Sequence, residues 1–354
     1  MQLKENQSLA PFTTFGIGGP ARWFVEAAGE SEIVEAVEWA GQRKAALFVL
    51  GGGSNLLVSD AGFDGLVIRV ALRGIAAIDA GASQRIYRAA AGETWEDCVQ
   101  RSVNDGCAGV ECLSGIPGTV GGTPVQNVGA YGQEVSTVIE RVRAFDRHER
   151  AFVEFSAAEC AFAYRQSRFN TADRGRFIIT RVDYRLTAGG APTLLYPELK
   201  RAVEALHPDG SQPSLNEVAA AVRRIRHSKG MLLVEGDPDC RSAGSFFKNP
   251  VLGEDQLQKI AARGQNVPPF FPAGPDSEST GLVKIPAAWL IEHAGFAKGF
   301  SLDAAAISSR HTLALVNCGG ATAGEILALA RRIREAVELK FGVHLEIEPV
   351  LAGF

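Results

Sequence analysis

The chain has 354 residues, 46% of them hydrophobic and 21% charged, a composition of ordinary globular character with room for two or three cores. A formal net charge of −4 gives no electrostatic basis for nucleic-acid binding, and no apolar run approaches the length of a membrane span. The stretch Met1-Gln2-Leu3-Lys4-Glu5-Asn6 lacks a basic-then-apolar leader, and six scattered cysteines (Cys98, Cys107, Cys112, Cys160, Cys240, Cys318) show no C-x-x-C spacing, so a cytoplasmic protein with reduced thiols and no metal site is expected.

In chain order, Ile33, Val34, Ala36, Val37, Trp39 and Ala40 recur at helical spacing and predict an amphipathic helix over 31–44. A buried strand follows over 45–50, then the turn Gly51-Gly52-Gly53-Ser54-Asn55, an apolar run at 56–58 starting with Leu56, and a strand over 66–70. From Arg73 onward, strands are expected at 75–78, 86–91, 138–145, 152–155 and 177–186, with a helix over 95–104 capped by Thr94. A helix over 214–226 carries Leu215, Val218, Ala219, Val222 and Ile225 on one face and stops at Gly230. Beyond it the pattern predicts an extended segment at 245–251, helices at 256–262 and 285–294, and a strand at 312–316. A long helix at 322–341 and a final strand at 343–348 complete the chain. The expected domain boundaries lie near residues 72 and 227, giving segments 1–72, 73–226 and 227–354.

Two glycine-rich segments carry the chemistry. One is Gly51 to Asn55. The other is Ser114-Gly115-Ile116-Pro117-Gly118-Thr119-Val120-Gly121-Gly122, running into Gln126-Asn127-Val128-Gly129-Ala130-Tyr131-Gly132. Without a Cβ, backbone N–H groups can curve around an anion. One such loop alone is as readily a tight turn; two suggest a long, phosphate-bearing cofactor held from two sides. Gly16-Ile17-Gly18-Gly19-Pro20-Ala21 satisfies G-x-G-x-x-A, but Pro20 stands where a dinucleotide-binding helix must donate N–H groups. Arg223, Arg224, Arg226 and Lys229 read as a solvated helix end favoured by the dipole, or as a clamp on phosphate. Ser245-Phe246-Phe247-Lys248-Asn249-Pro250 reads as an edge strand with its phenylalanines in the core, or as a support holding Ser245 beside a site.

At these residues the chain resembles the flavoenzyme family of UDP-N-acetylenolpyruvoylglucosamine reductases (MurB). The resemblance runs through Thr13 to Gly19, both glycine-rich segments, Tyr164-Arg165-Gln166-Ser167, Ser245 to Pro250, Lys284 to Ile291, and Leu345-Glu346-Ile347-Glu348. It implies an α+β, three-domain flavoprotein. Its FAD-binding module is of the vanillyl-alcohol-oxidase (PCMH) type, and its C-terminal α+β domain binds substrate. FAD is noncovalent, held between the first two domains, and NADPH is the reductant. Hydride passes from flavin N5 to C3 of the enolpyruvyl ether of UDP-N-acetylglucosamine, giving UDP-N-acetylmuramate. By motif position the resemblance assigns catalysis to Arg165, Ser245 and Glu348. It assigns flavin contacts to the two glycine-rich segments, and substrate contacts to Tyr131, Tyr164, Tyr196, Arg226, Lys229, Asn249 and Lys284. Tyr196 marks the subclass with an extra substrate-capping loop. Pro349-Val350 stands where the family commonly has valine and a basic residue. A monomer is expected. The competing reading is an FAD-dependent alcohol or hydroxy-acid oxidase on the same module.

Overall fold

The computed structural model describes residues 1–262, 268–272 and 281–354. Contacts divide the chain into two units, each discontinuous in sequence. Unit 1 takes Met1–Gln7, Ala21–Gly52 and Phe63–Ser228; unit 2 takes Ser8–Pro20, Gly53–Gly62 and Lys229–Phe354. One division, at Ser228/Lys229, lies beside the boundary expected near 227. Residues 1–72 contribute to both units.

Unit 1 holds two sheets. The first orders its strands Leu3–Ser8, Pro20–Ala27, Phe63–Val70, Ala46–Leu50, and the last three run parallel. Parallel strands of one sheet need a crossover, and α1 (Glu30–Arg43) carries the chain from Pro20–Ala27 to Ala46–Leu50, on the far side of Phe63–Val70, burying Ile33, Ala36, Val37 and Ala40 as their spacing requires. The second sheet is antiparallel and orders Ala151–Ser156, Ile139–Asp146, Phe177–Ala188, Gln84–Ala90, Ile75–Asp79, with Cys107–Ala108 also paired to Phe177–Ala188. α2 (Trp95–Asn104) starts where Thr94 accepts a hydrogen bond from the Asp97 amide. α3 (Pro197–Glu204) and α4 (Leu215–Ser228) share a small core of Leu199, Val203, Val218, Val222 and Ile225 with Cys112.

Unit 2 contains α5 (Glu254–Ala262), α6 (Ala287–His293) and α7 (Ala323–Phe341). The buried face of α7 is Ile326, Leu329, Ala330, Ile333, Val337 and Phe341, and Thr322 with Glu325 forms a capping box at its start. The Asp60 carboxylate accepts from the amides of Ala323 (2.8 Å) and Gly324 (3.1 Å), a negative charge where the helix dipole favours one. Phe15, Phe246, Phe247, Leu290, Ile291 and Leu315 pack with α7 in one core.

Several elements differ from their sequence-based expectations. The segment 343–348 buries Val343 and Leu345, but among the described residues its one bridge is Ile347 to Phe247. The C-terminal ladder lies beyond it, where Val350–Ala352 pairs in parallel with Leu56–Val58. The strand expected at 312–316 is Leu315–Asn317, and the helix at 285–294 is Ala287–His293. Strands Leu3–Ser8 and Pro20–Ala27 and helix α3 have no counterpart in the sequence reading. Because Gly16 to Ala21 leads into a strand, it cannot seat a diphosphate on a helix N-terminus. All six cysteines are unpaired, five of them buried. Among the described residues no helix is long and apolar enough to cross a membrane.

Asp146 is 2% exposed and accepts from Arg176 (Nε 3.0 Å, Nη2 2.6 Å) and from the amides of His148 (2.9 Å) and Glu149 (3.3 Å). The Arg176 guanidinium, helped by those amides, holds its carboxyl down at about 2 from an ordinary 3.8. A folded value below the unfolded one means the stabilisation is complete above about pH 4 and is lost as pH falls toward 2. It amounts to about 2 kcal/mol at neutral pH. Denaturant titrations of Asp146→Asn should show a less stable protein at pH 7 and a flatter decline between pH 4 and 2. An unchanged acid limb would show that other carboxylates set it.

Candidate active site

The two glycine segments meet. Gly51 and Gly52 follow the strand Ala46–Leu50, and a Cβ on Gly52 would lie 2.7 Å from Gly118 Cα. On Gly51 it would lie 2.9 Å from Thr119 Oγ1. Backbone packs on backbone here, so the pair forms a cradle that side chains would fill, a fit for a long phosphate-bearing cofactor. The second segment is anchored to the start of α2, where the Trp95 amide donates to Gly118 O (3.0 Å). Gly121 is small for a different reason: its Cβ would strike Ala91 Cβ at 2.7 Å. Gly122 has its nearest neighbour at 4.0 Å.

Gly115 does not offer its amide outward. Its N–H donates to the Glu96 carboxylate, and its carbonyl accepts from Arg226 Nε at 3.0 Å. Ser114, fully buried, donates to Glu96 at 3.1 Å, and Arg223 pairs with the same carboxylate. Glu96 was not singled out in the sequence, because an acid in the first turn of a capped helix reads as a dipole complement. Arg226 is 7% exposed, so the solvated-helix-end reading fails at that position. Burial lowers its pKa, while the neighbouring Tyr131 pulls it the other way.

The structure brings Tyr131, Tyr196 and Arg226 together. The Tyr131 and Tyr196 rings meet edge to face at 5.3 Å. Burial pushes the Tyr131 phenol up to about 12, against the opposing pull of Arg226. Tyr164 and Arg165 form the tip of a two-residue turn closed by Gln166 N–H to Ala163 O (3.1 Å) and Ala163 N–H to Gln166 O (3.0 Å). Arg165 Nη2 donates to Gly129 O at 3.0 Å, and its guanidinium lies 5.4 Å from the Tyr164 ring. Asn127 Nδ2 donates to Ala163 O (3.2 Å) and Ser167 Oγ to Val125 O (2.7 Å), fastening this turn to the segment Gln126 to Gly132. Gly129–Ala130 pairs with Gln133–Glu134. Asn127, Tyr131 and Arg165 adopt φ of 46°, 50° and 55°. Left-handed backbone costs a side-chain-bearing residue about 1–2 kcal/mol, and such strain collects at functional sites.

The remaining expected residues fall in unit 2. Gly53 has φ +62°, and a Cβ there would lie 1.8 Å from Phe12 O, so only glycine fits. Next along, Ser54 leads to Asn55, whose Nδ2 donates to Glu348 O (3.4 Å) and whose carbonyl accepts from Val350 N–H (3.0 Å). Leu56 then opens the parallel ladder with the C-terminal strand. Ser245 bridges Ala314, and the Glu348 amide donates to Phe246 O at 3.0 Å. Phe246 and Phe247 are 0% and 1% exposed, so the phenylalanines lie in the core, as one reading of this segment expected, next to Ser245. Asn249 Oδ1 accepts from the Ala287 amide (2.9 Å) and caps α6. Lys284 pairs in register with Val251 and Phe271, and Lys229 follows α4 directly. Among the described residues no three potential ligands are grouped to hold a metal ion.

A family model described as "FAD binding domain" matches residues 21–150, and one described as "UDP-N-acetylenolpyruvoylglucosamine reductase, C-terminal domain" matches 237–352. The chain is 46% identical to the UDP-N-acetylenolpyruvoylglucosamine reductase of Streptomyces coelicolor, over 98% of this chain and 89% of that one. It is 45% identical to that of Thermobifida fusca, over 98% and 97%. The crystal structure of UDP-N-acetylenolpyruvylglucosamine reductase (MurB) from Thermus caldophilus superposes with a TM-score of 0.65 at 28% identity, covering 99% of this chain and 98% of that chain. The α+β architecture is accordingly that of an FAD-binding module joined to this family's C-terminal domain.

Gly52→Ala should force the two glycine segments apart. The purified variant should lose most of its bound FAD, read as flavin absorbance per protein, with its far-ultraviolet circular dichroism unchanged. Full flavin loading would mean that the cofactor does not depend on this contact.

Proposed function

The chain belongs to the UDP-N-acetylenolpyruvoylglucosamine reductase family, and on that premise we propose that it reduces the enolpyruvyl ether of UDP-N-acetylglucosamine to UDP-N-acetylmuramate, a peptidoglycan precursor. It is an oxidoreductase carrying an FAD-binding domain. NADPH is the proposed reductant, and the enzyme acts as a cytoplasmic monomer. The observation that carries the reading is the hydrogen bond from the Glu348 amide to Phe246 O, next to Ser245, in a chain this similar to named reductases.

The glycine segments would hold FAD, which when bound would supply a hydride for C3 of the enolpyruvyl group. The addition leaves negative charge at C2, spread into the adjacent carboxylate. Arg165 stabilises that charge with a planar fork of donors, and its side chain is already fixed by Gly129 O. Glu348 is assigned beside the enol-like intermediate, which its carboxyl would stabilise when it carries or shares a proton. Ser245 gives its proton to C2. A serine hydroxyl is a weak acid, but a carbanion-like centre is a far stronger base than an alkoxide, so the transfer runs downhill.

Tyr131, Tyr164, Tyr196 and Arg226 are assigned to the nucleotide-sugar substrate, with Tyr196 as the cap of the extra-loop subclass; the edge-to-face contact of Tyr131 and Tyr196 supports that assignment. Lys229 is assigned to phosphate. Asn249 and Lys284 flank the substrate, Asn249 through its amide nitrogen, since its oxygen caps α6. The partition 1–72, 73–226 and 227–354 is proposed as the functional one: two flavin-binding parts and a substrate part.

Ser245→Ala separates the half-reactions. NADPH should bleach the flavin at near the normal rate, while reoxidation by the enolpyruvyl substrate should slow by roughly 10²-fold or more, the scale of a lost general acid. Rapid-mixing absorbance follows each step alone; loss of flavin reduction with reoxidation preserved would put Ser245 at the nicotinamide instead. Arg165→Lys should recover only part of the turnover lost in Arg165→Ala, because lysine keeps the charge without the fork. Near-wild-type turnover in the lysine variant would show that charge alone suffices.

A further inference from the structure

Glu111 is fully buried in unit 1, and among the described residues no lysine or arginine forms an ion pair with it. Three donors from three segments converge on its carboxylate, each at 2.8 Å: the Gly109 amide, Gln133 Nε2 and the Thr193 amide. Gln133, itself 6% exposed, closes the knot: its Oε1 accepts from the Cys112 amide (2.8 Å) and its Nε2 also reaches Thr193 Oγ1 (3.0 Å). Cys112 Sγ donates to Thr193 O at 3.2 Å.

A buried carboxylate with no cation is costly, and an apolar or amide side chain would usually serve stability better. What an ionised carboxylate offers is acceptance only: two oxygens that can face three donors with no hydrogen of its own to clash. Its position says what that tie joins. The short turn Glu111–Leu113 runs straight into Ser114 and Gly115 of the second glycine segment. Gln133 pairs with Ala130, beside Tyr131. Thr193 stands three residues before Tyr196, and the neighbouring Leu195 packs within 3.1 Å of a Cβ placed on Gly132. Segment 193–196 has no strand or helix of its own before α3 begins at Pro197.

We propose that Glu111 is a positioning residue that couples the second glycine segment to segment 193–196, so that flavin on the one orders the tyrosine carried by the other. The proposal rests on the reading above, in which the glycine segment holds FAD and Tyr196 caps substrate.

Hydrogen exchange of the peptide spanning residues 191–196, in holoenzyme and in FAD-stripped protein, tests it. In wild type, FAD should slow exchange there by about tenfold or more. In Glu111→Gln with saturating FAD, exchange should stay at the flavin-free rate while α4 remains as protected as in wild type, because an amide turns an N–H toward at least one of the three donors. Thr193→Pro, which deletes the Thr193 donor and leaves the carboxylate in place, should give the same result if Glu111→Gln does not fold. In turnover, Glu111→Gln should raise KM for the enolpyruvyl substrate about tenfold with kcat within about threefold, and should add nothing in a Tyr196→Ala background. Exchange in wild type indifferent to FAD, or KM effects that add in the double variant, would overturn the coupling. Coupled exchange in a protein that binds FAD but does not turn over the enolpyruvyl substrate would sustain the coupling and sink the reductase reading.

Discussion

The approach of Gly52 to Gly118, backbone against backbone, is the constraint on which the flavin-binding half depends. It allows the end of a parallel strand and the entrance of α2 to present main chain to one ligand. Around that contact the surrounding groups remove freedom. Gly115 is held at its N–H by Glu96 and at its carbonyl by Arg226, and Gly118 O is held by the first amide of α2. Groups held in this way lower the ordering cost that binding must meet at Gly115 and Gly118 themselves.

Unit 2 presents a different arrangement around Ser245, the residue assigned as proton donor. Ser245 lies on an extended segment with almost no ladder of its own. Its rigidity comes from Phe246 and Phe247 in the core and from backbone bonds to segments 313–314 and 346–348. Glu348 is tied on both sides, to Phe246 by its amide and to Asn55 by its carbonyl. A residue of the first glycine segment and two of the assigned catalytic residues therefore share one backbone network.

Elements built by local rules were legible in the sequence. Helices α1, α2, α4 and α7 follow from apolar spacing, and Thr94 and Thr322 cap two of them by their own hydroxyls. The strand Pro20–Ala27 was not expected: it opens on a proline directly after Gly18 and Gly19, residue types that weaken a strand signal. The alternation of Val343, Leu345 and Ile347 gave the correct burial and the wrong ladder, because which segment pairs with which is a long-range fact that periodicity does not carry. At the site, glycines and the Tyr164–Ser167 and Ser245–Pro250 motifs were legible because their residue types are unusual where they stand. Glu96 and Glu111 were not: an acid in a first helical turn and an acid in a short turn look like surface charge until their partners, distant in sequence, are in place.

The parallel pairing of Leu56–Val58 with Val350–Ala352 has a consequence for synthesis. Asn55 and Glu348 are 293 residues apart in the chain, yet they hydrogen-bond. While a ribosome is still making the protein, the helices and the sheets of unit 1 can form from what has already emerged. The strand after the first glycine turn cannot pair until Val350–Ala352, far along the chain, has been made. Closing so long a loop is slow and comes late. A variant lacking Val350–Ala352 would leave Leu56–Val58, directly after the first glycine segment, without its partner strand.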